Sequence, residues 1–105
     1  MNEISVSELA RKHADGEDFL LLDVREPDEL AIASIPWAVA IPMGEIKQRL
    51  NELPADKPIA VLCHSGGRSG RVTAFLNENG FPNATNLAGG IRDWSEKVDP
   101  TVPQY

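Results

Sequence analysis

The sequence predicts an α/β fold in three layers, with helices flanking a mostly parallel central sheet. Apolar runs of strand length alternate with amphipathic helical segments, and no internal repeat or low-complexity segment interrupts them. The run at residues 19–24 is apolar on both faces, which is typical of a central parallel strand covered by helices. Because strands separated by helices need crossover connections, the sheet is expected to be parallel.

The first helix is predicted to begin after Ser5. Ser5 and Glu8 form the pattern of a capping box, in which each side chain satisfies a backbone amide of the first turn. Val6 and Leu9 follow at helical spacing, and Gly16 is the expected stop. The segment is therefore predicted to be a short amphipathic helix that precedes the first long apolar strand.

Four more elements are predicted in the middle of the chain. The strand at residues 19–24 is followed by Pro27, which suits the first turn of a short helix. Residues 38–41 are predicted to be a second buried strand, and residues 43–53 a helix that Pro54 ends. This order again places a helix between successive strands.

The last third of the chain repeats the alternation. A buried strand is predicted at residues 59–63, a helix from about Ser69 to Asn79, a short strand at 84–87 and a final helical face over 91–98. Residues 1–98 are thus predicted to form one domain. Residues 99–105 carry two prolines and are predicted to be an extended tail, which could lie along the domain surface or act as a short docking peptide.

Composition excludes several classes of function. Ten basic and sixteen acidic residues give a net charge of −6, and no basic block with interleaved aromatics occurs, so no nucleic-acid partner is expected. No apolar run approaches the roughly 20 residues that span a bilayer, so no membrane partner is expected. A single cysteine excludes an internal disulfide, and no export signal follows Met1; we expect a cytoplasmic protein.

The most informative residue is Cys63, the one cysteine of the chain, at the junction of a buried strand and a glycine-containing turn. Backbone amides that converge on one sulfur, with a helix N-terminus behind it, lower a thiol pKa and bind an anion. The six residues of this turn are His64, Ser65, Gly66, Gly67, Arg68 and Ser69. Buried free cysteines are commonly inert, but these small residues and the charge of Arg68 favour a reactive thiolate.

Four separated motifs resemble the single-domain rhodanese sulfurtransferases across nearly the whole chain. They are CHSGGRS at 63–69, DVRE at 23–26, IP at 35–36 and LAGGIRDW at 87–94. The resemblance implies a rhodanese fold and a double displacement. In that reaction the Cys63 thiolate takes a sulfane sulfur from a small anionic donor such as thiosulfate and passes it from a persulfide to a thiophilic acceptor. Cyanide is the acceptor in assays; a thiol or a protein is expected in the cell.

The roles expected at the site follow from that chemistry. Cys63 is the expected nucleophile, and the backbone amides of residues 64–69 are expected to hold the persulfide. Arg68 is the expected anion-binding side chain, with His64 and Arg71 as weaker candidates. No cofactor and no metal are expected, since the chain lacks phosphate-binding glycine motifs and has too few cysteines and histidines for a zinc site.

Asp23 and Arg25 stand at the end of the strand at 19–24 and are possible supporting residues behind the nucleophile. A structural role is favoured, either as an ion pair or as a turn cap, with Glu26 or Glu29 as the partner. The family usually has histidine and glycine where this chain has Ser34 and Trp37. We expect Trp37 to pack against the domain, with a pocket wall or a partner contact as alternatives.

Three other functions remain open at this stage. Cysteine-dependent phosphatases and arsenate reductases use a similar loop, but they place one residue more between cysteine and arginine than the four found here. A rhodanese-like domain that only binds or regulates a partner is a second alternative. A redox sensor is a third, although the chain offers no resolving cysteine.

Overall fold

A computed structural model describes residues 2–105, which form a parallel sheet with helices on both faces. The strands are β1 (Glu3–Ile4), β2 (Leu20–Asp23), β3 (Val39–Ala40), β4 (Ile59–Leu62) and β5 (Ala84–Leu87). The α-helices are α1 (Val6–Ala14), α2 (Pro27–Ile32), α3 (Gly67–Glu78) and α4 (Gly90–Lys97), and a 3-10 helix with a kink at Arg49 spans Met43–Glu52.

The sheet has the strand order β1-β5-β4-β2-β3, and every pair in it is parallel. The central strand β4 aligns Val61 with Leu22 of β2 and with Asn86 of β5. The carboxyl ends of β2, β4 and β5 therefore meet at one edge of the sheet, where ligands bind in open parallel sheets. The predicted three-layer α/β class is confirmed.

Alternation along the strands divides the core into two apolar layers. Leu21 and Leu62 point into a layer that includes Leu9 of α1 and Trp94 of α4. Leu22, Val61 and Cys63 point to the opposite face, where α3 and the 3-10 helix cover the sheet. Cys63 thus faces α3 because it follows Val61 by two residues, the period of a strand.

One of the two contacts of the predicted capping box at the first helix is present. The Ser5 hydroxyl accepts a hydrogen bond from the backbone amide of Glu8 at 3.1 Å. Trp37 also packs as expected: its ring stacks on His13 with centroids 3.8 Å apart and meets Trp94 edge-on at 6.0 Å. The Trp37 side chain therefore belongs to the apolar layer between the sheet and helices α1 and α4.

Three details differ from the sequence predictions. Residues 38–41 were expected to form a buried strand, but β3 is an edge strand whose Val39 is 46% exposed, because only β2 pairs with it. Helix α3 begins at Gly67 rather than near Ser69, so the second half of the cysteine turn is already helical. Strand β1 has two residues, too few for a periodic signal, and was not predicted.

The segment after α4 packs onto the domain. Val102 is buried beside Trp94, and the Ser95 hydroxyl donates a hydrogen bond to the main-chain oxygen of Val102 at 2.5 Å. Two arrangements were left open for residues 99–105, and in the structure these residues lie along the domain surface. The boundary at residue 98 stays a prediction.

No helix within residues 2–105 combines the length and the apolar character that crossing a bilayer requires. The expected cytoplasmic location stays a prediction.

Candidate active site at the carboxyl ends of the strands

Cys63 follows β4 directly, and its sulfur lies among polar groups of the turn that leads into α3. The backbone amide of Gly66 donates a hydrogen bond to Cys63 Sγ at 3.1 Å, and the Ser69 hydroxyl lies 3.2 Å from the same sulfur. Gly66 precedes the helix with a φ of +115°, a conformation that glycine adopts at little cost. The glycine therefore turns the chain so that its amide points at the sulfur.

The electrostatics of this turn favour a thiolate. Burial raises the pKa of the Cys63 thiol, but hydrogen bonds from the Ser69 hydroxyl and from the amides of Ser69, Gly66 and Ser65 together outweigh it. The pKa is therefore lowered from its ordinary value. No cation is needed for this effect, because the donors are backbone amides at the N-terminus of α3 and one hydroxyl.

The hydroxyl of Ser69 is shared with a residue that the sequence analysis missed. Ser69 Oγ lies 2.5 Å from Asn86 Oδ1, and the amide nitrogen of Asn86 donates to Glu3 at 3.1 Å. One O–H cannot serve both neighbours at once. When Cys63 is a neutral thiol it can donate to Ser69, and Ser69 to Asn86; when Cys63 ionises, the Ser69 proton must turn to the sulfur. In the sequence, the available signal for Asn86 was an amide side chain within the short predicted strand at 84–87.

The turn between β5 and α4 closes on the cysteine turn. The amide of Ile91 donates to the main-chain oxygen of Cys63, and that of Arg92 to the main-chain oxygen of His64, both at 3.0 Å. A Cβ atom on Gly90 would lie 2.5 Å from each of those two oxygens, and Gly90 has a φ of +58°. Only glycine allows this close approach. The two turns are therefore joined by main-chain contacts at the strand ends.

Asp23 and Arg25 form a buried ion pair at the end of β2. Arg25 is 0% exposed, and its guanidinium donates to Asp23 Oδ2 at 2.7 Å and to the main-chain oxygen of Ala33 at 2.8 Å. The favoured structural role fits this geometry, but the expected partners do not: Arg25 pairs with Asp23 itself, and neither Glu26 nor Glu29 is hydrogen-bonded to it. The pair ties the end of β2 to the end of α2.

The other charged candidates occupy different positions. Arg68 donates two hydrogen bonds to the carboxylate of Glu29, at 2.6 and 2.7 Å. His64 lies on the ring of Tyr105, with centroids 4.4 Å apart, and its Nε2 is 2.8 Å from the main-chain oxygen of Tyr105. Arg71 is exposed on α3, where it lines a shallow apolar groove away from the sulfur contacts. The proposed anion-binding role of Arg68 therefore requires Glu29 to release it.

The profile of the rhodanese-like domain family matches residues 5–97, nearly the whole chain. The chain belongs to the rhodanese-like family. The rhodanese domain is 40% identical over 102 residues to a protein of Allochromatium vinosum named sulfurtransferase, and the match covers 97% of this chain and 95% of that protein. It also resembles the solved structure of a rhodanese-related protein from Thermoplasma volcanium, with a TM-score of 0.86, 33% identity and 100% of both chains covered.

A third relative is a larger plant protein. The maize protein named adenylyltransferase and sulfurtransferase MOCS3-2 is 37% identical over 109 residues, which cover 97% of this chain and 23% of that protein. These relatives support rhodanese-type sulfur transfer as the general activity of this rhodanese domain, and an enzyme of the sulfurtransferase class.

Proposed function

We propose that this rhodanese domain moves a sulfane sulfur through a persulfide on Cys63. The observation that carries the proposal is the position of Cys63 Sγ, which accepts a hydrogen bond from the amide of Gly66 and lies beside the Ser69 hydroxyl at the start of α3. A thiolate is the nucleophile that sulfur transfer requires, and the persulfide that forms is an anion that the same amides stabilise.

The reaction has two displacements. The Cys63 thiolate attacks the outer sulfur of a donor such as thiosulfate, the sulfur–sulfur bond of the donor breaks, and sulfite leaves with the bonding electron pair. An acceptor nucleophile, cyanide in an assay or a thiol in the cell, then attacks the outer sulfur of the persulfide. Cys63 leaves as a thiolate, so the protein returns to its starting state without a net change in oxidation level.

A protein acceptor is the second part of the proposal. The relationship to a maize protein whose name joins adenylyltransferase and sulfurtransferase supports a role in which the sulfur is relayed within or between proteins. Cys63 is 1% exposed, so the turn that holds it must open before a donor or an acceptor reaches the sulfur. A partner that docks at the strand ends could supply that opening with its binding energy.

Intact-protein mass spectrometry tests the persulfide directly. After treatment with thiosulfate, we expect an adduct of one sulfur atom that cyanide removes, and we expect none on Cys63→Ser. The matched control is Ser95→Ala, which loses a buried hydroxyl that is bonded to Val102 and not to the sulfur, and which should form the adduct. If no adduct forms with inorganic or organic sulfane donors, the proposal fails. Partner binding that survives in Cys63→Ser with full cellular function would instead favour a binding module.

A further inference from the structure

The cation nearest in sequence to the nucleophile is already neutralised. Arg68 uses both of its terminal nitrogens on the two oxygens of Glu29, at 2.6 and 2.7 Å. Its pKa is raised mainly by these hydrogen bonds, burial opposes them, and the charge of Cys63 adds to them. Arg68 belongs to the turn that holds the sulfur, but its charge is matched by a carboxylate in a two-bond geometry that is strong and directional.

The carboxylate of Glu29 has no free acceptor position. Besides the two bonds from Arg68, it accepts one from the backbone amide of Glu26 at 3.2 Å and one from the Tyr105 hydroxyl at 2.9 Å. These four bonds match the capacity of an ionised carboxylate. Hydrogen bonding by Arg68, with burial opposing, lowers the pKa of Glu29 to about 2, so Glu29 is charged at neutral pH.

Tyr105 bridges the ends of β2 and β4. On one side its hydroxyl accepts from Arg25 at 2.8 Å and donates to Glu29. On the other side its ring lies on His64, and its main-chain oxygen is hydrogen-bonded to the same imidazole. Tyr105 thus binds Glu29 near the end of β2, and it also covers His64, the first residue of the cysteine turn after β4.

Two arginines at this edge are each paired with a carboxylate. Arg25 is matched by Asp23, and Arg68 by Glu29. Arg71 and Arg92 are exposed, and within residues 2–105 neither side chain is hydrogen-bonded to the cysteine turn. With a net charge of −6 on the whole chain, a doubly charged oxyanion at Cys63 meets no unpaired arginine of the cysteine turn unless Glu29 leaves Arg68.

We propose that Glu29 is a specificity-determining residue, which selects against inorganic oxyanion donors by occupying Arg68, and that Tyr105 positions its carboxylate for that purpose. Donors whose transferable sulfur is carried by an organic thiol do not need to displace Glu29 and are favoured. The proposal takes its reaction from the function proposed above, but the first test below does not depend on sulfur transfer.

Alkylation of Cys63 by iodoacetate and by iodoacetamide measures the charge selectivity of the site. Both reagents consume the same thiolate, so the ratio of their rate constants cancels any change in the fraction ionised. In Glu29→Gln we expect the iodoacetate to iodoacetamide ratio to rise roughly five- to tenfold, the size expected when one nearby cation loses its partner at a partly exposed site. Asp28→Asn is the matched control, because Asp28 is exposed on the same helix and its loss changes the net charge equally.

Tyr105→Phe tests the positioning role. This variant keeps the ring on His64 but loses the hydroxyl that binds Glu29 and Arg25, so we expect a smaller rise in the same ratio. It also carries the test if Glu29→Gln does not fold, which circular dichroism would show. An unchanged ratio in both variants overturns the proposal, and so does an equal rise in Asp28→Asn, which would indicate a long-range effect of net charge.

Thiosulfate kinetics connect the selectivity to the reaction. In Glu29→Gln we expect kcat/KM for thiosulfate to rise severalfold, mainly through a lower KM, while turnover with an organic persulfide changes little. If the alkylation ratio shifts but no variant forms a persulfide, the selectivity stands and the sulfur-transfer function fails. If persulfide forms normally and neither the ratio nor the KM shifts, the role of Glu29 fails alone.

Discussion

Two loops at the same edge of the sheet handle charge in opposite ways. Around the loop between β2 and α2, charged side chains pair with each other: Asp23 with Arg25, and Glu29 of α2 with Arg68. In the turn between β4 and α3, main-chain amides and the hydroxyl of Ser69 surround the sulfur of Cys63. Fixed pairs have no capacity for a new charge, whereas amide dipoles without a permanent counter-ion can stabilise one that appears during a reaction.

The difference follows from what each loop must do. A buried pair such as Asp23 and Arg25 holds two chain segments in one arrangement, because either partner left alone is strongly unfavourable. Amides at the start of a helix keep their direction whether or not an anion is present, since the helix itself fixes them. The first loop therefore suits a structural role, and the second suits a nucleophile whose charge changes.

Breaking the ion pair of Asp23 and Arg25 at the end of β2 should have the largest effect on stability. Arg25→Met leaves Asp23 buried without its partner, and we expect the free energy of unfolding to fall by about 3–5 kcal/mol. Urea denaturation measures it. The matched control is Arg49→Met, which breaks ion pairs with Glu45 and Glu52 on the exposed surface and should change stability little. Equal effects of the two variants would contradict the contrast between the loops.

Removing the Ser69 hydroxyl should have the second largest effect, on the reactivity of Cys63. In Ser69→Ala the pKa of Cys63 should rise, because a hydrogen bond that stabilises the thiolate is lost. We expect alkylation by iodoacetamide at neutral pH to slow by about tenfold, and its pH profile to move to higher pH. Ser95→Ala, which also removes a buried hydroxyl, should leave the profile unchanged. If the pH profile of Ser69→Ala does not move, the backbone amides alone stabilise the thiolate.

Lowering the pH should reveal how much the ion pair of Glu29 and Arg68 contributes to stability. This effect should be smaller than those of the two substitutions above. Hydrogen bonding by Arg68, against the opposing effect of burial, holds the pKa of Glu29 at about 2 in the folded state, against 4.5 ordinarily. A carboxylate with a lowered pKa contributes stability above pH 4.5 and loses it as the pH falls toward 2. Its share should be on the order of 1 kcal/mol after solvent screening.

Denaturation of the parent and of Glu29→Gln between pH 5 and pH 2 isolates that contribution. The parent should lose more stability over this interval than Glu29→Gln does, and the two curves should approach each other at the acid end. Asp28→Asn should follow the parent, since Asp28 is exposed on the same helix. Parallel curves for the parent and Glu29→Gln would show that the pair with Arg68 adds nothing to folding.

The layered fold could be predicted because its signals are local. Ser5 begins α1 through a contact only three residues away, and strand β5 at Ala84–Leu87 has the predicted bounds, since turn residues stand on either side of it at Pro82 and Gly89. The edge strand β3 could not be placed correctly in the same way. Its exposure depends on which strands pair with it, and that is a property of the assembled sheet.

The amino-acid sequence alone predicted Cys63 as the nucleophile, and it determined the small residues of its turn and the alternation that brings the strand ends to one edge. Only the tertiary structure decided which side chains meet there. Tyr105 contacts Arg25 across 80 positions of the chain, and Arg68 contacts Glu29 across 39. Local propensity carries no information about such distant partners, because their pairing depends on the packing of whole helices and strands rather than on the residues beside them.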